Sequence, residues 1–420
     1  MADVTAADPL PTGAPFPAGY RPSAAAYDEL YERDGSARAH WSAVLGGLAE
    51  IGAGEFAQRW REARRMLREN GVTYNVYDDV QSAERPWALD PIPVLLTSNE
   101  WRAIEHGLVQ RAELLEAILA DLYGPHTLVR RGLVPAEMIY AHPGFARPCV
   151  GVPPPRGRNL PLYAADLARR PDGGFCVLGD RTQAPSGAGY ALENRVVLSR
   201  TLPSIVRDAH VHRLPHFFRR LRAALGALST RDDDTPHIVM FTPGPGNETY
   251  FEHAFLASYL GGTLAQGDDL TVRNQRVWLR TLEGLRPVDV IIRRVDGAFS
   301  DPLELRGDSL LGVPGLLQAA RQRHVAIVNP LGSSVVQNRA LLAVLPQLAR
   351  ELLGEDLRLP SVPTWWCGDA PGRAYVLAHL DELVITPIFP DRARPTVFGG
   401  ALDAAARTQL TAARDRERSA

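Results

Sequence analysis

Hydrophobic positions in the first third of the chain recur at the spacing of amphipathic helices. The stretch 36–70 predicts two such helices, which Gly52 and Gly54 separate. A further helix is expected to begin where Ser98 or Asn99 can cap it and to stop at a Gly-Pro pair. The first part of the chain is therefore predicted to be helical.

The pattern changes after residue 140, where short apolar stretches alternate with proline and glycine turns, as in β-hairpins. The stretches that read as strands are 160–163, 175–178 and 196–198. Asp172, Gly173 and Gly174 form a hairpin-turn sequence between the first two of them.

Beyond the polar run 231–236, which we interpret as a domain boundary, buried-strand patterns alternate with helical ones. Strands are predicted at 237–241, 264–266, 288–293 and 325–329, and helices at 248–260, 309–322 and 339–353. This alternation is typical of an α/β fold with a parallel sheet, which binds ligands at the carboxyl ends of its strands.

Composition narrows the function classes. All 46 basic residues are arginine against 48 acidic ones, so the formal net charge is −2. A near-neutral chain argues against nucleic acid and membrane surfaces as partners. Without lysine, Schiff-base, pyridoxal-phosphate and P-loop chemistry is excluded. The 3 scattered cysteines favour a cytoplasmic location and no structural zinc, and no hydrolase motif is present.

A glycine-rich turn, 242–247, follows the first strand of the α/β part. Gly244 and Gly246 let backbone N–H groups approach an anion, and Asn247 precedes the helix. Thr249 stands where a dinucleotide fingerprint has its third glycine. A ligand site, a plain strand–helix turn and, more weakly, a dehydrogenase site therefore remain open.

Asp166 and Asp180 lie on either side of the hairpin turn at equal distance from Gly173. Residues in such positions face each other across a two-stranded ribbon, so the two carboxylates are expected to converge as Mg²⁺ ligands. Two exposed acids are the alternative. The polar and glycine-rich run 180–195 that follows indicates a loop shaped around a ligand.

Other polar groups follow the later strands. Arg293 and Arg294 end one strand and can hold a carboxylate or phosphate bidentately, although a surface ion-pair cluster is the alternative. The segment 329–334 ends the next strand and opens toward a helix.

The stretches 180–195, 250–267, 288–305, 325–335 and 359–368 together resemble circularly permuted ATP-grasp proteins, relatives of glutathionylspermidine synthase. The resemblance runs from about residue 70 to 400. It implies a permuted ATP-grasp fold with an inserted Rossmann-like pre-ATP-grasp domain, and it implies an all-helical partner. Composition predicts a disordered tail (1–30), and the polar run 231–236 predicts the boundary that the resemblance matches. With both, the predicted division is a helical segment with the first part of the clamp (31–234), the inserted domain (235–345) and the start of the second clamp part (346–420).

The resemblance also implies ATP-dependent ligation with Mg²⁺, in which a phosphorylated small-molecule or peptide carboxylate reacts with an amine. A degenerate, non-catalytic binding or regulatory subunit is the alternative. Gly179 and Arg181 stand where the family has a Glu-x-Asn pair of metal ligands, and Thr386 where it has a nucleotide-binding lysine.

We assign the site residues accordingly. The catalytic residues are Arg181, Arg293 and Arg294, and the Mg²⁺ ligands are Asp166 and Asp180. Those assigned to the nucleotide are Ser186, Gly187, Asn194, Arg195, Asn329, Gly332 and Ser333. Those assigned to the substrate are Gly244, Gly246, Asn247, Glu252, Asp296 and Asp301.

Overall fold

A computed structural model describes residues 23, 26–74, 86–231, 235–388 and 395–408. The helices of this described part are α1 Ser42–Glu69, α2 Ser98–Leu122, α3 Thr127–Arg130, α4 Ala136–Tyr140, α5 Ala188–Thr201, α6 Pro203–Asp208, α7 Pro215–Ala227, α8 Tyr250–Tyr259, α9 Leu316–Arg321, α10 Leu345–Leu353 and α11 Ala370–Ala378. Its strands are β1 Ala164–Arg169, β2 Phe175–Arg181, β3 Ile238–Phe241, β4 Thr263–Ala265, β5 Leu270–Arg273, β6 Arg276–Thr281, β7 Gly284–Pro287, β8 Val290–Arg293, β9 Ala326–Val328, β10 Val384–Ile385 and β11 Val397–Phe398. No helix among these residues is long and apolar enough to span a membrane.

The two helices predicted for the N-terminal part are confirmed as the two halves of α1. Gly52 adopts φ 72° and ψ 161° inside α1, which interrupts the helical backbone where glycine is tolerated best. The start of α2 corrects the prediction for its cap. Thr97, rather than Ser98 or Asn99, caps α2 by accepting a hydrogen bond from the Glu100 amide, while the Glu100 side chain bonds back in a capping box.

The predicted parallel sheet is confirmed. Its strand order is β4-β3-β8-β9, and all three pairings are parallel. Alternate residues of β3 and β8 enter two different cores: Val239 and Ile291 pack on the side of α9, Met240 and Ile292 on the side of α7 and α8. Because both faces are covered, the strands read as continuous apolar runs in the sequence.

A separate two-stranded antiparallel hairpin, β1–β2, precedes this sheet in the chain. The turn at Gly173 is as predicted, with the Arg170 amide donating to the Gly174 carbonyl at 2.7 Å. The first strand begins at Ala164 and not at 160, and the stretch 196–198, predicted as a strand, is part of α5.

Some elements carry no clear signal in the sequence. The three-stranded meander β5–β6–β7 lies between β4 and β8, and α7 precedes β3. The predicted helix 309–322 is only α9, because Pro314 and the left-handed Gly315 lie directly before it. The domain boundaries and the inserted Rossmann-like domain stay predictions.

Candidate functional site

The segment 182–187, which joins β2 to α5, lies across the carboxyl ends of the parallel strands. We call it the docked loop. Its main-chain groups are bonded by a side chain at the end of β8, by one that follows β9 and by one of α8. Of the run 180–195 that was predicted to be a ligand-shaped loop, only the docked loop lies at the sheet edge where α/β proteins bind ligands. The prediction of a loop is wrong for 188–195, which form the first turns of α5.

Asn329, directly after β9, ties the docked loop to the chain before β1. Its Nδ2 donates to the Thr182 carbonyl at 2.6 Å and to the Leu162 carbonyl at 2.7 Å, and its Oδ1 accepts from the Leu162 amide at 2.9 Å. Both hydrogen bonds that Nδ2 donates, and the one that Oδ1 accepts, are made with main-chain groups. Asn329 is thus a positioning residue, and its predicted contact with a nucleotide finds no free group here.

Two further side chains hold the start of the docked loop. Gln337 Oε1 accepts from the amides of Thr182 and Gln183, both at 3.2 Å. The Thr182 hydroxyl donates to the Ser333 carbonyl at 2.8 Å.

Glu252, a buried residue of α8, holds the other end of the docked loop. Its Oε1 accepts from the Gly187 amide at 2.7 Å and from the Gly189 amide at 2.9 Å. Gly187 has φ 111° at the N-cap of α5, a conformation that favours glycine. The carboxylate therefore fixes the left-handed turn from which α5 begins.

Three buried polar atoms around the docked loop have no hydrogen-bond partner within the described residues: Glu252 Oε2, Arg294 Nε and Ser333 Oγ. Among all residues that the structure describes, His40 Nε2 is the only other buried side-chain nitrogen or oxygen without a hydrogen-bond partner. An unmade hydrogen bond on a buried group costs about 1–3 kcal/mol. Their concentration at one sheet edge indicates a place where a ligand completes the bonding.

Arg294 is the cation of this edge. One of its guanidinium nitrogens, Nη1, donates to the Pro185 carbonyl of the docked loop. Burial lowers its pKa, and the charge of Glu252 opposes that change. A guanidinium that keeps an unbonded N–H in such a place can bind a carboxylate or phosphate. The prediction that Arg294 serves an anionic group stays open and is compatible with this geometry.

His253, which follows Glu252 on α8, is held by two hydroxyls. Its Nδ1 lies 2.9 Å from Thr242 Oγ1 and its Nε2 lies 3.1 Å from Thr249 Oγ1. Burial, together with the charge of Arg294, lowers the pKa of His253 to about 3. The ring is therefore neutral near pH 7 and supports the turn without adding positive charge.

Arg293 corrects one prediction. Its guanidinium is buried and donates to three backbone carbonyls: Asn329 at 3.3 Å, Val295 at 2.7 Å and Gln183 at 2.8 Å. Burial lowers its pKa to about 10. With its donors bonded to main chain, Arg293 is a positioning residue of the docked loop and not a fork shared with Arg294.

The glycine-rich turn after β3 has a mainly conformational basis. Gly244 has φ 103°, and a Cβ built there would lie 2.5 Å from Gln266 Oε1. The Asn247 side chain accepts from the amide and hydroxyl of Thr249 at 3.0 and 2.9 Å. Gly246 has open space beside it. Of the two glycines of this turn that were assigned to substrate, only Gly246 leaves room for a neighbouring group.

The two acids after β8, Asp296 and Asp301, differ in burial and in what they bond. Asp296 is exposed and accepts from Gln183 Nε2 at 2.9 Å, which places it against the docked loop. Asp301 is fully buried, and its carboxylate accepts from the amides of Leu303, Gly315 and Leu317 at 2.9, 3.2 and 2.9 Å. Its assignment to substrate is corrected, because both oxygens hold the chain that leads into α9.

Three residues assigned to the nucleotide face protein groups instead. Asn194 Oδ1 accepts from the Trp87 indole at 2.9 Å, and Arg195 donates to the His212 carbonyl. A Cβ at Gly332, which has φ 87°, would lie 2.2 Å from the Tyr123 hydroxyl. These contacts leave Ser186, Gly187 and Ser333 as the nucleotide assignments that lie at the docked loop.

The prediction that the carboxylates of Asp166 and Asp180 converge is wrong. Asp166 pairs with Gly179, whereas Asp180 pairs with Ala165, so the two carboxylates leave opposite faces of the ribbon. The cause is a bulge: the register shifts between Asp166 and Leu167. One extra residue moves every later side chain of a strand to the other face.

Neither acid is a free metal ligand. The buried carboxylate of Asp180 accepts from Arg111 Nε at 2.7 Å, from Arg111 Nη2 at 2.9 Å and from the Tyr163 hydroxyl at 2.7 Å. Burial, and then the charge of Asp180, raises the pKa of Tyr163, so the phenol remains a donor. On the exposed face, Arg181 Nη2 lies 2.8 Å from Asp166 Oδ2.

The described residues contain no group of three or more histidine, cysteine or acidic side chains that could hold a metal ion. With Asp180 neutralised by Arg111 and Asp166 paired with Arg181, the residues assigned to Mg²⁺ do not fit it. Thr386 follows β10, away from both acids in the sequence.

Sequence reasoning missed several residues of this site. Gln337, Gln183 and Arg111 hold the docked loop or the hairpin, but each acts on a partner that is distant in the chain. Thr249 and His253 gave a weak signal, since residues four apart on a helix lie on one face.

Comparison with known proteins gives the family. The model of the family "Circularly permuted ATP-grasp type 2" matches residues 93–418. An uncharacterized protein of Mycobacterium tuberculosis is 40% identical over 369 residues, which are 86% of this chain and 42% of that protein. An uncharacterized protein of Synechocystis is 38% identical over 359 residues, which are 86% of this chain and 75% of that protein.

The chain thus spans less than half the length of the mycobacterial relatives it matches first. Among solved structures, a glutathione synthetase-like effector from Globodera pallida, in apo form, is similar with a TM-score of 0.47 and 14% identity, covering 75% of this chain and 72% of that one. The extent of the family match and the identity to the Synechocystis relative are what identify the chain. It belongs to the circularly permuted ATP-grasp family, type 2.

Proposed function

We propose that this chain serves an ATP-dependent carboxylate–amine ligase, and that the carboxyl edge around the docked loop holds an anionic substrate. The family implies ATP-dependent ligation, and the single observation that supports the binding edge is the group of unpartnered buried atoms at Glu252, Arg294 and Ser333. A carboxylate would accept from Arg294 Nε, and a substrate N–H would donate to Glu252 Oε2.

In the proposed reaction the substrate carboxylate takes the terminal phosphoryl group of ATP, which leaves ADP and an acyl phosphate. An amine then attacks the acyl carbon, the C–O bond to phosphate breaks, and an amide and inorganic phosphate are released. The residues of this chain contribute by holding the acid. Arg294 orients it, and the bonds of Arg293 and Asn329 keep the docked loop from collapsing into the site.

A second candidate, a non-catalytic binding subunit, is favoured by one specific observation. The acids that correspond to the metal side are engaged by arginine: Asp180 by Arg111 and Asp166 by Arg181. Such a protein would use the carboxyl edge to bind a carboxylate without phosphorylating it.

Trapping the acyl phosphate distinguishes the two candidates. The purified chain is incubated with ATP, Mg²⁺, a mixture of amino acids and hydroxylamine, which converts acyl phosphates into hydroxamates. We expect hydroxamate that depends on ATP and is absent when a non-hydrolysable ATP analogue replaces it. Binding of an amino acid by calorimetry without any hydroxamate would reject the ligase and leave the binding subunit.

A further inference from the structure

A cavity of about 520 Å³ lies outside the docked loop, beside the strand β9. Its other walls come from the segment 152–159 and from α9. No docked-loop residue lines it, and neither do Arg293, Arg294 or Glu252. Small-molecule sites have volumes of about 300–1,000 Å³, so this cavity is large enough to be a second binding site.

The strand β9 presents main-chain groups to this cavity. It is the edge strand of the parallel sheet and pairs only with β8 among the described residues. The Ala326 amide donates to the Asp289 carbonyl at 2.9 Å, so the N–H and C=O of the next residue, Ile327, point away from β8. Ile327 is buried and lines the cavity, and these two groups have no hydrogen-bond partner within the described part of the chain. Buried main-chain groups are nearly always bonded, so both require a partner in the cavity.

The wall formed by the segment 152–159 does not supply that partner. Residues 153–155 are three prolines in a row, which have no N–H to donate. The amides of Val152 and Gly157 donate to carbonyls three residues earlier in the chain, at 3.1 and 3.3 Å. The segment therefore lies against the sheet without joining it as a fifth strand, and the edge of β9 stays open.

One polar side chain of the same wall is placed to bond an occupant. The main-chain amide of Asn159 donates to Glu116 Oε1 at 2.6 Å, which fixes this residue at the end of the segment. Asn159 lines the cavity, and its side-chain amide makes no hydrogen bond to any residue that the structure describes. The interior is otherwise largely apolar, with buried side chains of Leu119, Leu317 and Val325.

From these features we propose that the cavity binds a short extended peptide with apolar side chains. One residue of such a peptide offers an N–H and a C=O on the same side, which match the C=O and N–H of Ile327 as those of a neighbouring strand would. A further main-chain group of the peptide bonds Asn159, and its side chains lie against the apolar wall. A hydrocarbon without amide groups would leave the groups of Ile327 unbonded. The site is separate from the carboxyl edge, so its occupation does not depend on the ligase proposed above.

A matched pair of ligands tests the proposal on the whole chain. The first is N-acetyl-valyl-valyl-valinamide. The second is the depsipeptide with the same side chains, in which oxygen replaces the N–H of each of the three residues. We expect saturable binding of the peptide in calorimetry, with one molecule per chain. The depsipeptide should bind about tenfold more weakly, because the Ile327 carbonyl then faces an ester oxygen and has no donor.

The Ile327 amide gives a direct readout at the sheet edge. In a chain labelled with ¹⁵N at isoleucine, its proton signal should move downfield when the peptide binds, because the amide then donates a hydrogen bond. Loss of the signal in Ile327→Val assigns it. Ile205 of α6 lies in a different core and is the internal control, whose signal should not move.

Two variants fix the location of the ligand. Ala320→Phe fills the cavity from α9 and should abolish binding of the peptide. Gln322→Phe adds the same ring directly after α9, at an exposed position that does not line the cavity, and it should leave the affinity unchanged. Thermal unfolding of each variant shows whether it is folded, and the ligand pair decides the matter if Ala320→Phe is not.

The proposal is overturned if the peptide shows no saturable binding, or if the depsipeptide binds the unaltered chain as tightly as the peptide does. It is equally overturned if the Ile327 signal stays in place at saturation. Unchanged affinity in a folded Ala320→Phe chain, or an equal loss in Gln322→Phe, would place the ligand outside the cavity and would also reject it.

Discussion

Arg111 and Asp180 form a bidentate ion pair that is almost completely shielded from water, with 0% and 3% of their side chains exposed. The pair joins α2 to the end of β2, and Arg111 Nη1 also donates to Ser361 Oγ at 3.0 Å. The hydrogen bond and charge of Asp180 outweigh the effect of burial and raise the pKa of Arg111. The Asp180 carboxylate, which was assigned to Mg²⁺, is thus already bonded to a permanent cation of the chain itself.

Arg111→Met is expected to lower the free energy of unfolding by about 3–5 kcal/mol, because it leaves the Asp180 carboxylate buried without its partner. The same hairpin offers the control. Arg181→Met breaks the exposed pair with Asp166, with side chains 58% and 46% exposed, and should cost less than about 1 kcal/mol. Urea unfolding of both variants measures the difference. Equal losses would mean that the buried pair contributes no more than a surface one.

The left-handed turn at Gly187 predicts a second pair of results. Gly187→Ala should lower the free energy of unfolding by about 1–2 kcal/mol, since φ 111° places a Cβ against the following carbonyl. Gly246→Ala is the control, because Gly246 has an ordinary φ, and both glycines have open space beside them. If the two substitutions cost the same in urea unfolding, backbone conformation is not what requires glycine at the start of α5.

The buried ring of His253 predicts a dependence of stability on pH. Burial, with a smaller effect of Arg294, lowers its pKa from the ordinary 6.5 to about 3. Between these values the unfolded chain binds one proton that the folded chain does not. The contribution of His253 to the free energy of unfolding is therefore fully present above pH 6.5. It is lost as the pH falls toward 3, by up to about 1.4 kcal/mol per pH unit.

An NMR titration of the His253 ring checks the direction. The ring should remain neutral at pH 5, and Arg294→Gln should raise its pKa while burial keeps it below 6.5. His142, whose pKa burial lowers to about 4, adds to the same loss of stability in acid. A His253 ring that is protonated at pH 6 would contradict the placement of this side chain in the interior.

The strands β3, β8 and β9 could be predicted from the sequence because both sheet faces are buried and leave unbroken apolar runs. The docked loop could be predicted in part, since polar residues and glycines concentrate there without periodicity, but the same composition in 188–195 concealed the start of α5. The partner of Asp180 could not, because Arg111 is 69 residues away and only the packing of α2 against the hairpin brings it near.

The error at Asp166 has a physical source as well. Equal spacing from Gly173 places two residues on one face only if the ribbon is regular. The bulge leaves Leu178 outside the register and turns Asp180 away from Asp166. A single extra residue in a strand is not visible as a break in hydrophobic alternation when the strand is only partly buried.

Release of inorganic phosphate from ATP tests most directly whether the carboxyl edge serves ligation. The assay supplies the purified chain with ATP, Mg²⁺ and a mixture of amino acids and polyamines. It compares the unaltered chain with Arg294→Gln and with Arg280→Gln, an exposed arginine of β6. We predict release that depends on the mixture and is slower than about 1 s⁻¹, because Asp180 and Asp166, the two acids assigned to Mg²⁺, are each paired with an arginine. Arg294→Gln should slow it by about 10²–10³ and Arg280→Gln should not. Equal rates in the two variants, or release at the same rate without the mixture, would contradict the assignment of the carboxyl edge.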